Sequence, residues 1–133
     1  MGNPSFFFEG SIQENFAEYR KYRDLQPYNQ KEICTYLKIC IAEFPMDTLC
    51  ATMSSGERQR VFTAICLSFK PKVLLLDEPT SALDDMTANA MMVNIIAFCK
   101  DNNITLIVVS HNKALAETYA DNIILLVGGG RHE

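Results

Sequence analysis

Two short, wholly apolar runs, Val73–Leu76 and Ile104–Val109, each end abruptly in a polar pair, Asp77-Glu78 and Ser110-His111. Runs of this length without alternation are expected for strands buried on both faces of a parallel sheet. Between them, the stretch from about Met86 to Lys100 is rich in Met, Ile and Ala and long enough for a helix. Strand, helix and strand in that order predict a crossover connection and parallel pairing. In open parallel sheets the ligand lies beyond the carboxyl ends of the strands. Both polar pairs therefore fall on one sheet edge, and together they mark a site more strongly than either does alone.

The rest of the chain fits around that unit. Downstream, Ala114–Ala120 reads as a short helix and Ile123–Val127 as a third strand, before Gly128-Gly129-Gly130. Upstream, Ser11 and Glu14 have capping-box spacing and open a helix carrying Ile12, Phe16 and Tyr19, which Pro27 is expected to end. Asn29 to Glu32 begins a second helix with Ile33, Leu37, Cys40 and Ile41 on one face, stopped by Pro45. Ser54 and Glu57 repeat the capping box, and Val61, Ile65, Cys66 and Phe69 continue an amphipathic helix to Lys70. The expected organisation is thus a helical segment over 1–70 and an α/β segment over 71–133.

Composition narrows the chemistry. With 12 Lys and Arg against 16 Asp and Glu, the net charge is -4, so no overall basic field recruits nucleic acid or anionic lipid. A nucleotide ligand stays open, because backbone amides, a few cations and magnesium hold triphosphates. Five cysteines at scattered, apolar positions read as reduced thiols packed as small hydrophobes in a cytosolic protein. No stretch has the length of a membrane span or the layout of a signal peptide, so a membrane link has to come through another polypeptide.

The residues at the predicted strand ends suit phosphate chemistry. Asp77 can hold magnesium through water, and Glu78 can orient or deprotonate an attacking water. An isolated Asp-Glu pair would more often be a helix cap or a solvated turn. Small residues at Ser54-Ser55-Gly56 let a backbone approach a phosphate, and the helix that follows offers free amides and a positive dipole end. Ser54 also reads as a plain cap shared with Glu57. Arg58 and Arg60, in the first turns of that helix, are ordinary surface residues on the simplest account. His111 reads as a structural residue or a cap near Asn112 when taken alone, and an imidazole there can also donate from one nitrogen while a neighbour fixes the other.

Asp77-Glu78-Pro79-Thr80-Ser81-Ala82-Leu83-Asp84 resembles the Walker B and D-loop segment of ATP-binding-cassette ATPases. Met53-Ser54-Ser55-Gly56-Glu57 resembles that family's signature loop, and His111 its switch histidine. Asn3 to Asn15, with an aromatic run, Gly10 and Glu14-Asn15, is similar to the stretch after the family's Q-loop. The resemblance implies an α/β, partial P-loop NTPase fold: a helical subdomain followed by an incomplete parallel sheet with flanking helices. It implies ATP and Mg2+ as ligands. Asp77 would be associated with magnesium, Glu78 would be the general base, and His111 would contact the γ-phosphate and position water. Ser54, Ser55, Gly56 and Glu57 would meet ATP held by the opposite subunit, and Ser81 to Asp84 would be the D-loop crossing to that subunit. Three positions depart from the usual Leu-Ser-Gly-Gly-Gln signature: Met53, Ser55, which places a side chain where backbone approaches ATP, and Glu57, which adds a charge.

No G-x-x-x-x-G-K-[ST] run occurs in the chain, so the resemblance covers the distal part of the family's domain and this chain alone is expected to be inactive. In the family's sheet, the strand feeding the phosphate loop lies between the switch strand and the strand after it. The resemblance therefore implies unpaired edges on Ile104–Val109 and Ile123–Val127, a slot that the isolated chain is expected to fill by rearranging or by pairing with another copy. The function it implies is the ATP-hydrolysing subunit of a transporter, cytoplasmic and at the inner face of a membrane. Its partners would be a second nucleotide-binding domain, identical or not, and a transmembrane subunit. One alternative is an ATPase of DNA repair or chromosome organisation, whose signature often ends in Glu. Such proteins insert a long coiled coil where this chain has a short segment broken by Pro27 and Pro45, with no sustained heptads. Another alternative is a non-catalytic partner-binding module, which gives no reason for the placing of Glu78 and His111.

Overall fold

A computed structural model describes residues 9–124. In chain order the elements are α1 (Ile12–Lys21), α2 (Gln30–Ile39), a 3-10 turn (Cys50–Thr52), α3 (Ser55–Ser68), β1 (Val73–Asp77), α4 (Asp85–Asp101), β2 (Thr105–Val109) and α5 (Lys113–Tyr119). The expected order of helices and strands is present from Ser11 to Tyr119. Of the expected third strand, Ile123 and Ile124 have no regular structure. Its remaining residues, the Gly128–Gly130 run and the aromatic run at Phe6–Phe8 lie outside the described residues.

The helix starts follow the sequence closely. Ser11 Oγ accepts from Glu14 N at 3.1 Å while Ser11 N donates to Glu14 Oε1 at 2.8 Å. The same reciprocal box forms between Asn29 and Glu32 and between Ser54 and Glu57, satisfying amide donors that each first turn leaves free. The helix ends do not follow the prolines. α1 stops at Lys21, well before Pro27, because Asp24 is left-handed at φ 54° and Leu25 N donates back to Arg20 O at 3.0 Å. α2 closes in the same way, with Ile41 at φ 53° and Ala42 N donating to Leu37 O at 2.9 Å. Both are Schellman closures. A left-handed isoleucine is uncommon, and the Arg60 guanidinium bonds its carbonyl at 3.3 Å.

One core joins the helical half to the sheet. Phe16, Ile33, Leu37, Val61, Ile65, Met91 and Ile95 are buried, and Leu74 and Leu76 of β1 belong to the same cluster. Cys40, Cys50 and Cys99 are buried as free thiols, and burial pushes the thiols of Cys50 and Cys66 up to about 11. No helix among the described residues is long and apolar enough to cross a membrane.

β1 and β2 pair in parallel, with Val73 opposite Thr105, Leu75 opposite Ile107 and Asp77 opposite Val109. The expectation that both faces are buried fails. Leu74 and Leu76 point into the core, whereas Leu75 is 62% and Ile107 47% exposed, with Val73 and Val109 also open. Successive side chains alternate across a sheet, and α3 and α4 cover one side only. Among the described residues neither strand has a second partner. Open apolar strands are templates for pairing, so the 133-residue chain in isolation is expected to self-associate. Light scattering across a concentration series reads this directly. A monodisperse monomer with β1 and β2 protected in hydrogen exchange would contradict it.

Candidate functional site

The parallel register puts the ends of β1 and β2 side by side, and the chain past each strand folds toward the other. Glu78 N donates to Val109 O at 2.7 Å, extending the ladder one step beyond the strand. Glu78 is itself left-handed, at φ 49°, a conformation that costs a non-glycine residue about 1–3 kcal/mol and that clusters at functional sites. This turn directs its carboxylate to the loop after β2. There Glu78 Oε1 accepts from His111 N at 2.9 Å and lies 3.1 Å from His111 Nδ1. With Nδ1 so engaged, Nε2 faces outward on an imidazole that is 86% exposed. Asp77, at the last position of β1, is exposed beside this pair. The two strand-end pairs are thus joined by a direct contact between Glu78 and His111.

After Glu78, Ser81 N donates to Glu78 O at 3.3 Å and Leu83 N to Thr80 O at 3.0 Å, making a compact loop with Thr80 buried and Ser81 exposed. Asp84 caps α4. It accepts from Thr87 Oγ1 at 2.6 Å and from Thr87 N at 3.2 Å, and these bonds, the hydroxyl foremost, hold its carboxyl below the ordinary aspartate value. Asp84 thus has a structural task within its own chain.

The signature-like segment begins α3. Ser54 Oγ accepts from Glu57 N at 3.2 Å, and Glu57 Oε1 accepts from Ser54 N at 2.8 Å. The amide bond from Ser54 is the main cause that lowers the Glu57 carboxyl below its usual value, so the extra charge at Glu57 stays tied to the cap. The Ser54 O–H remains available as a donor and, like Ser55, is exposed. A Cβ built on Gly56 would stand 2.9 Å from the Ala82 Cβ. The start of α3 therefore packs directly on the loop after Glu78, and only glycine fits without a shift. Arg58 and Arg60 are half-buried, and they bond Met53 O at 3.1 Å and Ile41 O at 3.3 Å; both are structural rather than free surface cations.

One residue escaped the sequence reading. Gln59 Nε2 donates to Asp77 O at 3.1 Å and to Glu78 O at 3.3 Å, tying α3 to the carboxylate pair. Its partners are backbone carbonyls far along the chain, and only the fold brings them within reach.

The sequence profile of the family described as "ABC transporter" matches residues 3–81, from the segment before α1 to the loop after Glu78. Over 96 residues the chain is 41% identical to the thiamine import ATP-binding protein ThiQ of Photorhabdus laumondii, covering 72% of this chain and 39% of ThiQ. It is 39% identical over 79 residues to the lipoprotein-releasing system ATP-binding protein LolD 2 of Caulobacter vibrioides, covering 59% of this chain and 34% of that protein. The dimeric structure of the bacterial ABC transporter cassette MJ0796 superposes with a TM-score of 0.68 at 25% identity, covering 80% of this chain and 48% of the cassette. A second structure of that cassette is a post-hydrolysis state bound to ADP and Pi. The chain thus spans less than half the length of the proteins it matches. With the family profile running over more than half of the chain and through both the α3 start and the Asp77-Glu78 strand end, the chain belongs to the ABC transporter family.

Proposed function

We propose that this chain is the distal part of an ATP-binding subunit that hydrolyses ATP in a dimer of such subunits and couples it to transport across a membrane. The observation that carries the proposal is the Glu78 carboxylate, fixed beyond the strand end by His111 N at 2.9 Å and Nδ1 at 3.1 Å. A base must be held within reach of the proton it takes, and this contact holds one while Nε2 of His111 remains free for a phosphate oxygen or the water. Exposed Ser54, at the start of α3, would donate to the γ-phosphate of ATP held by the opposite subunit, supported by the Ser55 and Gly56 amides and the helix dipole. Ser81 and its neighbours to Asp84 would lie along the same dimer interface.

Asp77 offers a carboxylate at an exposed strand end, with no third ligand grouped with it among the described residues. That suits Mg2+, which keeps several waters and takes one or two carboxylates together with substrate phosphates. When bound there, magnesium would neutralise developing phosphate charge. Asp77 would anchor it, and Glu78 and His111 would manage the water.

The two relatives are named for thiamine import and lipoprotein release, and both names describe ATP-binding components of transport systems. This supports the transporter reading over DNA repair, and it supports a place at the cytoplasmic face of a membrane beside a transmembrane partner. Phosphate release by the whole subunit tests the proposal. Glu78→Gln is expected to abolish it with ATP binding retained, and release at the wild-type rate would contradict it.

A further inference from the structure

The contact that joins α3 to the carboxylate pair does more than satisfy two carbonyls. The Gln59 side-chain amide has two hydrogens, and it bridges Asp77 O at 3.1 Å and Glu78 O at 3.3 Å. Those carbonyls flank the one backbone position in the site that is left-handed, Glu78. Glu78 N is already held by Val109 O, so the Gln59 amide supplies the restraint on the carbonyl side. Gln59 also sits one helical turn after Gly56, whose backbone rests against Ala82 in the loop that follows Glu78. The start of α3 thus touches the segment 77–82 at two points, the amide bridge and the glycine contact.

We propose that Gln59 is a positioning residue whose amide bridge holds Glu78 in its turned conformation and carries movement of the α3 start to the Glu78 carboxylate. The proposal rests on Glu78 being the general base. On that reading, the α3 start serves the ATP of the opposite subunit while Glu78 serves its own. Gln59 then links the two sites of the dimer through a single chain. A ligand at the α3 start shifts Glu78 only if it binds the two arrangements with different affinity, and the Gln59 bridge makes the arrangement of the α3 start depend on that of Glu78.

His111 N provides the readout, because its partner is the Glu78 carboxylate and its protection reports where that carboxylate is. In the 133-residue chain, Gln59→Met removes the donors at nearly equal length. It is expected to speed exchange at the His111 amide roughly tenfold, a local opening with the α3 and β1 amides unchanged. In the whole subunit the same variant is expected to lower kcat about tenfold with KM for ATP within about twofold, the pattern of an interaction that matters in the transition state. A folded Gln59→Met protein with unchanged His111 exchange and unchanged kcat would overturn the proposal. If Gln59→Met loses protection throughout, Gln59→Lys carries the test. It restores a donor, and His111 protection and kcat are expected to return toward wild type; a folded Gln59→Lys protein that stays as impaired as Gln59→Met would overturn the proposal. Glu78→Gln measured in parallel separates the two readings. Turnover retained in Glu78→Gln removes the base assignment and the coupling with it. Turnover lost in Glu78→Gln but unchanged in Gln59→Met removes the coupling alone.

Discussion

Glu78→Gln in the whole subunit is expected to lower ATP turnover by about 10²–10⁴-fold, the range that a positioned general base supplies. The substitution keeps the side chain's length and an oxygen that can accept from His111 N, now at 2.9 Å. It removes the capacity to take a proton. The left-handed backbone at Glu78 and the Gln59 bridge make no use of the carboxylate charge, so the fold of the strand end should persist. ATP affinity is therefore expected to stay within a few-fold of wild type, as equilibrium dialysis would measure. His111 needs a second control, because its amide bonds Glu78 while its ring remains mostly exposed. His111→Ala keeps the amide bond to Glu78 and removes the ring together with its Nδ1 contact, so it shows how far the backbone amide alone holds Glu78 in place.

Gly56→Ala is expected to cost a smaller but still large share of activity by a different route. The new methyl would stand 2.9 Å from the Ala82 Cβ, so either α3 or the loop after Glu78 has to shift. Overpacking of this kind typically costs about 1–3 kcal/mol, and a shift at either element reaches Gln59 or Ser81. Turnover is expected to fall about tenfold to a hundredfold, in line with the rate penalty for small misplacements of reacting groups. Ala82→Gly in the same protein removes the atom with which the methyl collides. The double variant is expected to recover thermal stability fully and turnover in part, because on the proposed reading the added methyl still stands where the backbone would approach phosphate. No recovery of either property would show that the Gly56–Ala82 contact does not determine the effect.

Much of this arrangement was legible in the sequence, for reasons that are local. Ser11–Glu14 and Ser54–Glu57 are recognisable because a capping box depends on residues three apart. The parallel pairing was legible because an apolar run, a helix and a second apolar run leave few other topologies. The strand-end position of Asp77, Glu78 and His111 followed from the same pattern, and the structure adds their direct contact. Other features were not legible. Leu75 and Ile107 look like buried strand residues by composition, but which faces of a strand are covered depends on what packs there. The helix ends at Lys21 and Ile39 depend on left-handed turns at Asp24 and Ile41, residue types that do not announce such turns as glycine does. Arg58 and Arg60 resemble surface cations in sequence because their carbonyl partners carry no side-chain signature. Gln59 was missed for that same reason.

The central claim is that Glu78 hydrolyses ATP whose γ-phosphate is also gripped by Ser54 of a second subunit. Light scattering of the whole Glu78→Gln subunit, with and without ATP, tests it most directly. ATP is expected to convert the protein from monomer to dimer, ADP is not, and adding Ser54→Arg is expected to abolish the dimer while leaving ATP bound. An ATP-dependent dimer that forms equally well with Ser54→Arg, or a Glu78→Gln protein that binds ATP and stays monomeric, would contradict the account.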